Sequence, residues 1–189
     1  MKITSGEYKH RKLIIPYGYE TRPTSAKVRE AVFSMIGENV YDAMVLDLFA
    51  GSGSMGLEAL SRGAKRCLFC DNSQKSIDAI KENIDKCKAN MWSDIYKGDF
   101  KKNLDRINES FDIIFLDPPY KLGYYEECIN IITEKGLLNE DGIIIIEHDI
   151  RDVFEYEKYN LNKIKEKNYG KIGISIFKFV NIALEKNIW

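Results

Sequence analysis

Residues 49–60 read Phe-Ala-Gly-Ser-Gly-Ser-Met-Gly-Leu-Glu-Ala-Leu and contain a literal Gly-x-Gly-x-x-Gly at Gly51, Gly53 and Gly56. A loop of this kind joins a strand to a helix. Its glycines let backbone come close to a ligand, because no Cβ holds it away. Its usual occupant is the pyrophosphate of a dinucleotide, seated at the helix N-terminus. Asp71 lies 20 positions after Gly51, about where a ribose-binding acid would stand.

The flanking sequence decides the fold. Met44 to Phe49 predicts a buried strand, and Ser54 to Arg62 a helix with Ser54 as its cap. Arg66 to Cys70 predicts a second strand. Gln74 to Lys88 predicts a second helix, its apolar Ile77, Ile80, Ile84 and Cys87 spaced by three and four. The alternation continues with strands at Asp94 to Tyr96, Asp112 to Leu116 and Ile143 to Glu147, and helices at Lys101 to Asn108 and Tyr124 to Lys135. Strands alternating with helices over short connections predict a parallel sheet covered on both faces. The end breaks the pattern. Asn160 to Asn168 and Ile172 to Val180 flank the turn signal Tyr169-Gly170, with no room for a helix, and predict an antiparallel hairpin. The expectation is α/β: a doubly wound, mostly parallel seven-stranded sheet with a C-terminal antiparallel hairpin. That architecture resembles the class I S-adenosylmethionine (SAM) methyltransferases. Ahead of it, Tyr8 to Ile15 predicts a strand, Pro16 to Pro23 a loop, and Thr24 to Ile36 a helix capped by Thr24 or Ser25. Residues 1–40 are too few for a core of their own. The chain is expected to be one domain, with residues 1–40 an extension packed on a core of residues 41–189.

Ligands of α/β sheets sit beyond the carboxyl ends of the strands. Asp47, Asp71, Asp99 and Asp117 all stand there. A pyrophosphate next to Asp47 would cost on the order of a few kcal/mol in a partly shielded cleft. SAM carries a sulfonium and an ammonium and has no phosphate, so an acidic crevice suits it. Asp71 can take its ribose hydroxyls and Asp99 its adenine amino group. The candidate donor-binding residues are Asp47, Phe49, Ala50, Gly51, Ser52, Gly53, Asp71, Asn72, Asp99 and Phe100.

Asp117-Pro118-Pro119-Tyr120 follows a predicted strand. Two prolines make a stiff corner and leave carbonyls free to accept. An exocyclic amine of a nucleobase is a poor nucleophile, its lone pair being delocalised into the ring. Asp117 and the Pro118 carbonyl can accept its two N–H groups and aim that lone pair at a methyl carbon. Tyr120 can stack on the base, worth about 1–3 kcal/mol. The target must be unstacked to enter. No cysteine stands in the motif, which argues against attack on a pyrimidine ring carbon.

The bulk composition fits this. The chain has 189 residues, 44% hydrophobic and 30% charged, with net charge −1. Its longest purely apolar run, Ile143 to Ile146, is far too short to span a membrane. The N-terminus lacks the apolar stretch of a signal peptide, so the cytosol is expected. Cys67, Cys70, Cys87 and Cys128 read as reduced, mostly buried thiols. With only His10 and His148 as histidines, no metal site is expected. Within residues 1–30, seven basic residues face three acidic ones. Such a segment is either a nucleic-acid contact or a solvated surface.

These motifs together resemble the RsmD family, bacterial 16S rRNA guanine-N2 methyltransferases. The resemblance is carried by Gly6-Glu-Tyr-Lys, Arg11-Lys-Leu, Arg22-Pro-Thr24, Val28-Arg-Glu-Ala31, the loop from Asp47 to Gly53, the segment Gly56 to Gly63, Asp71, and Asp117 to Tyr120. His10 departs from it, since the family usually has glycine before Arg-Lys-Leu. The resemblance implies SAM as donor and a guanine of 16S rRNA, guanine 966, as acceptor. It implies presentation on a partly assembled 30S subunit, and Lys9, Arg11, Lys12, Arg22, Thr24 and Arg29 as RNA contacts. The protein is expected to be a monomer. Rival readings are an amino-methyltransferase acting on adenine N6 or on another rRNA guanine, a non-catalytic SAM- or RNA-binding assembly factor, and an NAD-dependent oxidoreductase.

Overall fold

A computed structural model describes residues 1–16, 25–118, 124–153 and 155–180. After α1 (Ala26–Ile36), the chain alternates β1 (Met44–Asp47), α2 (Ser54–Ser61), β2 (Arg66–Asp71), α3 (Gln74–Cys87), β3 (Ser93–Lys97), α4 (Phe100–Arg106), β4 (Phe111–Leu116), α5 (Tyr124–Glu134) and β5 (Leu138–Asp149). It ends in β6 (Leu161–Tyr169) and β7 (Ile172–Phe179). The seven strands form one sheet in the order β3-β2-β1-β4-β5-β7-β6. The first five are parallel neighbours, while β7 pairs antiparallel with both β5 and β6. The order reverses at β1, where the chain steps from β3 at one edge back to β4. Ligand crevices form at such a switch point.

Side-chain alternation divides the core in two. Val45, Cys67, Phe69, Ile113, Phe115, Ile143 and Ile145 pack on one face beneath α1, α2 and α3. Leu46, Leu68, Cys70, Ile114, Leu116, Ile144 and Ile146 pack on the other beneath α4 and α5. Fully burying a side chain of this size contributes roughly 1.5–3 kcal/mol, so two such faces over a parallel sheet fix its strands against slippage. No helix among the described residues is long and apolar enough to cross a membrane.

Several elements differ from the sequence expectation. β5 begins at Leu138, not Ile143, because Leu138 pairs with Phe111 across an irregularity in β4. α2 is capped by Gly53 in the left-handed region, with Ser54 its first helical residue. Of the two proposed caps of α1, Ser25 does the work, its hydroxyl accepting from the Val28 N–H at 3.2 Å. The strand expected over Tyr8 to Ile15 does not form. Residues 1–13 fold back on themselves as a narrow ribbon, with a single bridge between Lys2 and Lys12.

That ribbon is fastened to α2. Glu58 is fully buried and accepts from the Thr4 N–H (2.9 Å), the Thr4 hydroxyl (2.7 Å), the Ser5 N–H (3.0 Å) and Arg62 Nε (3.0 Å). Arg29 of α1, also fully buried, lies 3.7 Å from the same carboxylate and donates to the Lys2 carbonyl at 2.6 Å. Ser61 accepts from the Tyr8 N–H and donates to the Ser5 carbonyl. Gly6, at φ +79°, passes so close that a Cβ would lie 1.7 Å from the Ser61 carbonyl oxygen. Only glycine fits there, on both counts.

Candidate active site

Asp47 ends β1, Asp117 directly follows β4, and Glu147 lies two residues before the end of β5; the three strands are adjacent. The residues two positions earlier, Val45, Phe115 and Ile145, belong to one apolar cluster, so alternation turns all three acids to that face. They line one cleft of about 640 Å³, counting the part open to solvent. Phe49, Ala50, Gly51 and Ser52 of the glycine loop form one wall, while Ile15, Pro16 and Val32 of the N-terminal segment form another. Among the described residues lining it, none is basic.

The loop is built by its glycines in different ways. Gly51 and Gly53 take φ of +56° and +76°, and the Gly53 N–H closes a tight turn onto the Ala50 carbonyl at 2.6 Å. Gly56 serves packing instead. A Cβ there would lie 2.3 Å from the Phe69 ring and 2.5 Å from Cys67 Sγ, so its absence lets α2 sit down on β2. One of the three glycines thus reports helix-on-strand contact rather than ligand approach.

Asp47 is buried and accepts from the Gly56 N–H at 3.0 Å. Burial pushes its carboxyl up to about 7. The Gly56 bond works against that shift and the Asp71 charge adds to it. Asp71 accepts from the Gly51 N–H at 2.9 Å and the Ser73 N–H at 2.8 Å, tying the loop to the end of β2. Burial raises its pKa too, opposed by these backbone bonds. The loop is also held from α3. Buried Asn83 donates to the Ser52 and Ile14 carbonyls, each at 2.9 Å, and accepts from the Ile14 N–H at 2.7 Å. One amide thereby joins the glycine loop to the N-terminal wall of the cleft.

The remaining candidates fall around this centre. Asn72 is exposed at the end of β2. Asp99 is exposed and caps α4, accepting from the Lys101 N–H at 3.0 Å. Phe100 is buried, its ring centroid 5.7 Å from that of Phe49 and 4.9 Å from that of Tyr124. These three do not line the cleft. Gly53 and Asp71 do not line it either, and Phe100 reaches it through the ring of Phe49. Pro118 is buried directly after Asp117, while Pro119 and Tyr120 lie outside the described residues.

The candidate RNA contacts divide. Lys9 and Lys12 are exposed and line a shallow groove with Lys2 and His10. α1 separates this groove from the cleft, contributing Ala26 and Glu30 to the one and Val32 to the other. Arg11 is half-buried. Its guanidinium donates to the Lys86 carbonyl at 2.5 Å and lies 5.2 Å from the Tyr8 ring centre, which fixes it against the end of α3. Arg29 is a correction: a fully buried guanidinium paired with Glu58 cannot touch RNA. Arg22 and Thr24 lie outside the described residues.

Two cleft features escaped the sequence reading. Ile15 and Pro16 carried no signal. Glu147 did, since an acid at the end of a predicted strand marks the crevice edge by the rule that found the other four.

The strand order, the reversal at β1 and the glycine-loop crevice define a class I SAM-dependent methyltransferase fold. The chain belongs to the RsmD family: the family model described as Conserved hypothetical protein 95 matches residues 1–178. It is 38% identical over 181 residues to YlbH of Bacillus subtilis, whose name carries a provisional rRNA methyltransferase assignment; the match covers 94% of this chain and 98% of that one. It is 29% identical over 178 residues to the ribosomal RNA small subunit methyltransferase D of Escherichia coli, covering 94% and 89%. The solved structure of yhhF from Escherichia coli, provisionally described as a methyltransferase, superposes with a TM-score of 0.84 at 29% identity, covering 95% of this chain and 97% of that one.

Proposed function

We propose that this protein transfers a methyl group from SAM to the exocyclic N2 amine of one guanine of 16S rRNA, guanine 966 by family resemblance, on a partly assembled small subunit. The observation that carries the reading is the cleft: three carboxylates from adjacent strands beside a glycine loop, with no basic side chain among its described lining residues. Such a set repels phosphate, and Asp47 beside the glycine loop suits the cationic end of the donor. The relatives named as rRNA methyltransferases supply the substrate class.

SAM, when bound, supplies an electrophilic methyl carbon. Asp47 and the loop backbone would hold its cationic end and Asp71 its ribose. Asp117 accepts an N–H of the target amine, fixes the direction of its lone pair, and offsets the positive charge that builds on nitrogen as the N–C bond forms. The proton that nitrogen then sheds goes to solvent or to a neighbouring carboxylate. Phe115, Ile145, Val32 and Ile174 give the cleft apolar walls against which a flipped-out base excludes water. Lys9 and Lys12, in the groove beyond α1, are placed to meet phosphates of the same RNA.

The test is transfer of labelled methyl from SAM to 30S particles, free 16S rRNA and DNA, with the modified base mapped. Label on guanine N2 of 16S rRNA is expected. Label on adenine or on DNA would overturn the assignment.

A further inference from the structure

We infer that the β6 edge of the sheet is a docking surface for RNA backbone, with Lys165 and Lys167 holding phosphates of the strand whose base enters the cleft. This rests on the rRNA reading above. Register sets the placement. Glu147 of β5 pairs with Ile174 of β7, and Ile174 pairs with Lys167 of β6. Ile145, Ile176 and Lys165 make a second row in the same way. Paired residues point to one face of a sheet, so both lysines leave β6 on the face that carries the cleft. Ile174 is a wall of that cleft, and Lys167 stands one strand beyond it, about 4.8 Å in backbone spacing. An irregularity between Lys163 and Lys165 produces this aim. Lys163 pairs with Phe177, which belongs to the opposite apolar cluster, so it points to the other face. Without the extra residue, Ile164, all three lysines would share that other face.

The charge is arranged to match. Glu166, the one acid of β6, pairs with Lys163 on the far face. Lys165 and Lys167 are exposed and, among the described residues, have no carboxylate within ion-pairing distance. Lys165 donates to the Met35 carbonyl at the end of α1, and the Lys167 ammonium lies 5.7 Å from the centre of the Tyr169 ring. An ammonium has three donors, so both contacts leave some over. Lysines along a sheet edge also guard against edge-to-edge pairing. That role is served from either face and does not need the irregularity that turns two of the three towards the cleft. The cleft itself is lined by acids and by no basic described residue, so phosphate is kept out while an uncharged base can enter. Cations just outside its wall hold the backbone where the cleft rejects it, which points the base inward. In the order β2-β1-β4-β5-β7-β6 this edge lies on the side of Asp117 away from Asp71 and the glycine loop, so the RNA reaches the cleft without crossing the donor.

The experiment measures binding of the full-length protein to naked 16S rRNA and to 30S particles over a range of salt concentrations. Lys165→Gln with Lys167→Gln should weaken binding to both by roughly tenfold and make the slope of log affinity against log salt shallower by about 1–2. KM for the RNA should rise by a similar factor. SAM affinity by calorimetry should stay within about twofold of wild type, since neither lysine lines the cleft and solvent screens both. Lys163→Gln removes one charge from the same strand on the other face and should leave the slope as it is. An equal loss for Lys163→Gln would reduce the effect to net charge and overturn the surface. A wild-type slope in the double variant would make these lysines a solvated edge and overturn it as well. Loss confined to 30S particles would mean that a ribosomal protein meets them, which overturns the RNA assignment. Methyl mapped to adenine would overturn the guanine-N2 reading alone, because the salt slope does not depend on which base reacts.

Discussion

The glycine-loop crevice and the N-terminal ribbon are both rich in charge, and they put it to opposite uses. In the crevice, Asp47, Asp117 and Glu147 line one cleft whose described lining residues include no basic side chain, a setting that suits a cationic ligand. In the ribbon, Glu58 is satisfied by Thr4, Ser5, Arg62 and Arg29, which fastens residues 1–13 to α2. Both regions hold buried carboxylates, so burial alone does not mark function. What separates them is their setting: the crevice acids line a cleft, whereas Glu58 is enclosed by the groups it binds. The first is a site and the second a joint.

Breaking the joint should have the largest effect. Glu58→Ala removes the carboxylate beside the buried Arg29 guanidinium and the acceptor for two backbone N–H groups. The unfolding free energy should fall by on the order of 3–5 kcal/mol in a urea titration. Replacing the pair together, Arg29→Met with Glu58→Leu, should recover much of that. A loss below about 1 kcal/mol for the single variant would mean the joint carries little. Asp117→Ala tests the site in the same spirit and should do the reverse. Transfer should fall by roughly 10²–10³-fold in kcat, as for other preorganised groups, with SAM affinity and stability nearly unchanged. Loss of SAM binding would put Asp117 on the donor side.

The two regions were unequally legible in the sequence. Strand, loop and helix around Gly51 follow from periodicity and glycine placement, and so does the acid at each strand end, because these signals are local. Glu147 carries the same local signal, at the end of the apolar run Ile143 to Ile146. Arg29 could not be read. Its neighbours Val28 and Glu30 give no sign that α1 turns it inward onto α2, since its partner Glu58 is 29 residues away in sequence. A basic residue in a basic segment looks like a nucleic-acid contact until a buried acid is found for it. Gly56 was legible as glycine, but its reason, the Phe69 ring and Cys67 sulfur beneath it, belongs to packing between elements.

Asp47 sharpens the contrast through pH. Burial holds its carboxyl near 7, well above the ordinary carboxylate value. The folded protein therefore keeps a proton that the unfolded chain has already released. Between about pH 4 and 7 the folded state binds more protons, so stability falls as pH rises across that window. Asp47→Asn should flatten this slope. A cationic ligand favours the carboxylate form, so SAM affinity should strengthen as pH rises towards 7, and binding at pH 6 should release a proton. Calorimetry in two buffers of different ionisation enthalpy measures that release. No buffer dependence at pH 6 would mean that Asp47 does not meet the cation.

The smallest effect is expected at His10, and it concerns the joint. The ribbon turns back at this residue, with the His10 N–H donating to the Ile3 carbonyl at 3.0 Å and the backbone at φ +70°. That is the left-handed region, costly for a residue with a Cβ and free for glycine. The glycine that the resemblance leads one to expect here would suit this backbone without any RNA contact. His10→Gly relieves the strain but gives the unfolded chain more freedom, and the two partly cancel. A net stabilisation of about 0.5–1 kcal/mol is expected, seen as a small rise in the urea midpoint at unchanged slope. RNA affinity should not move. If it fell while stability rose, the imidazole beside Lys9 and Lys12 would be part of the RNA-facing groove, and the division between joint and site would run through this residue instead of along α1.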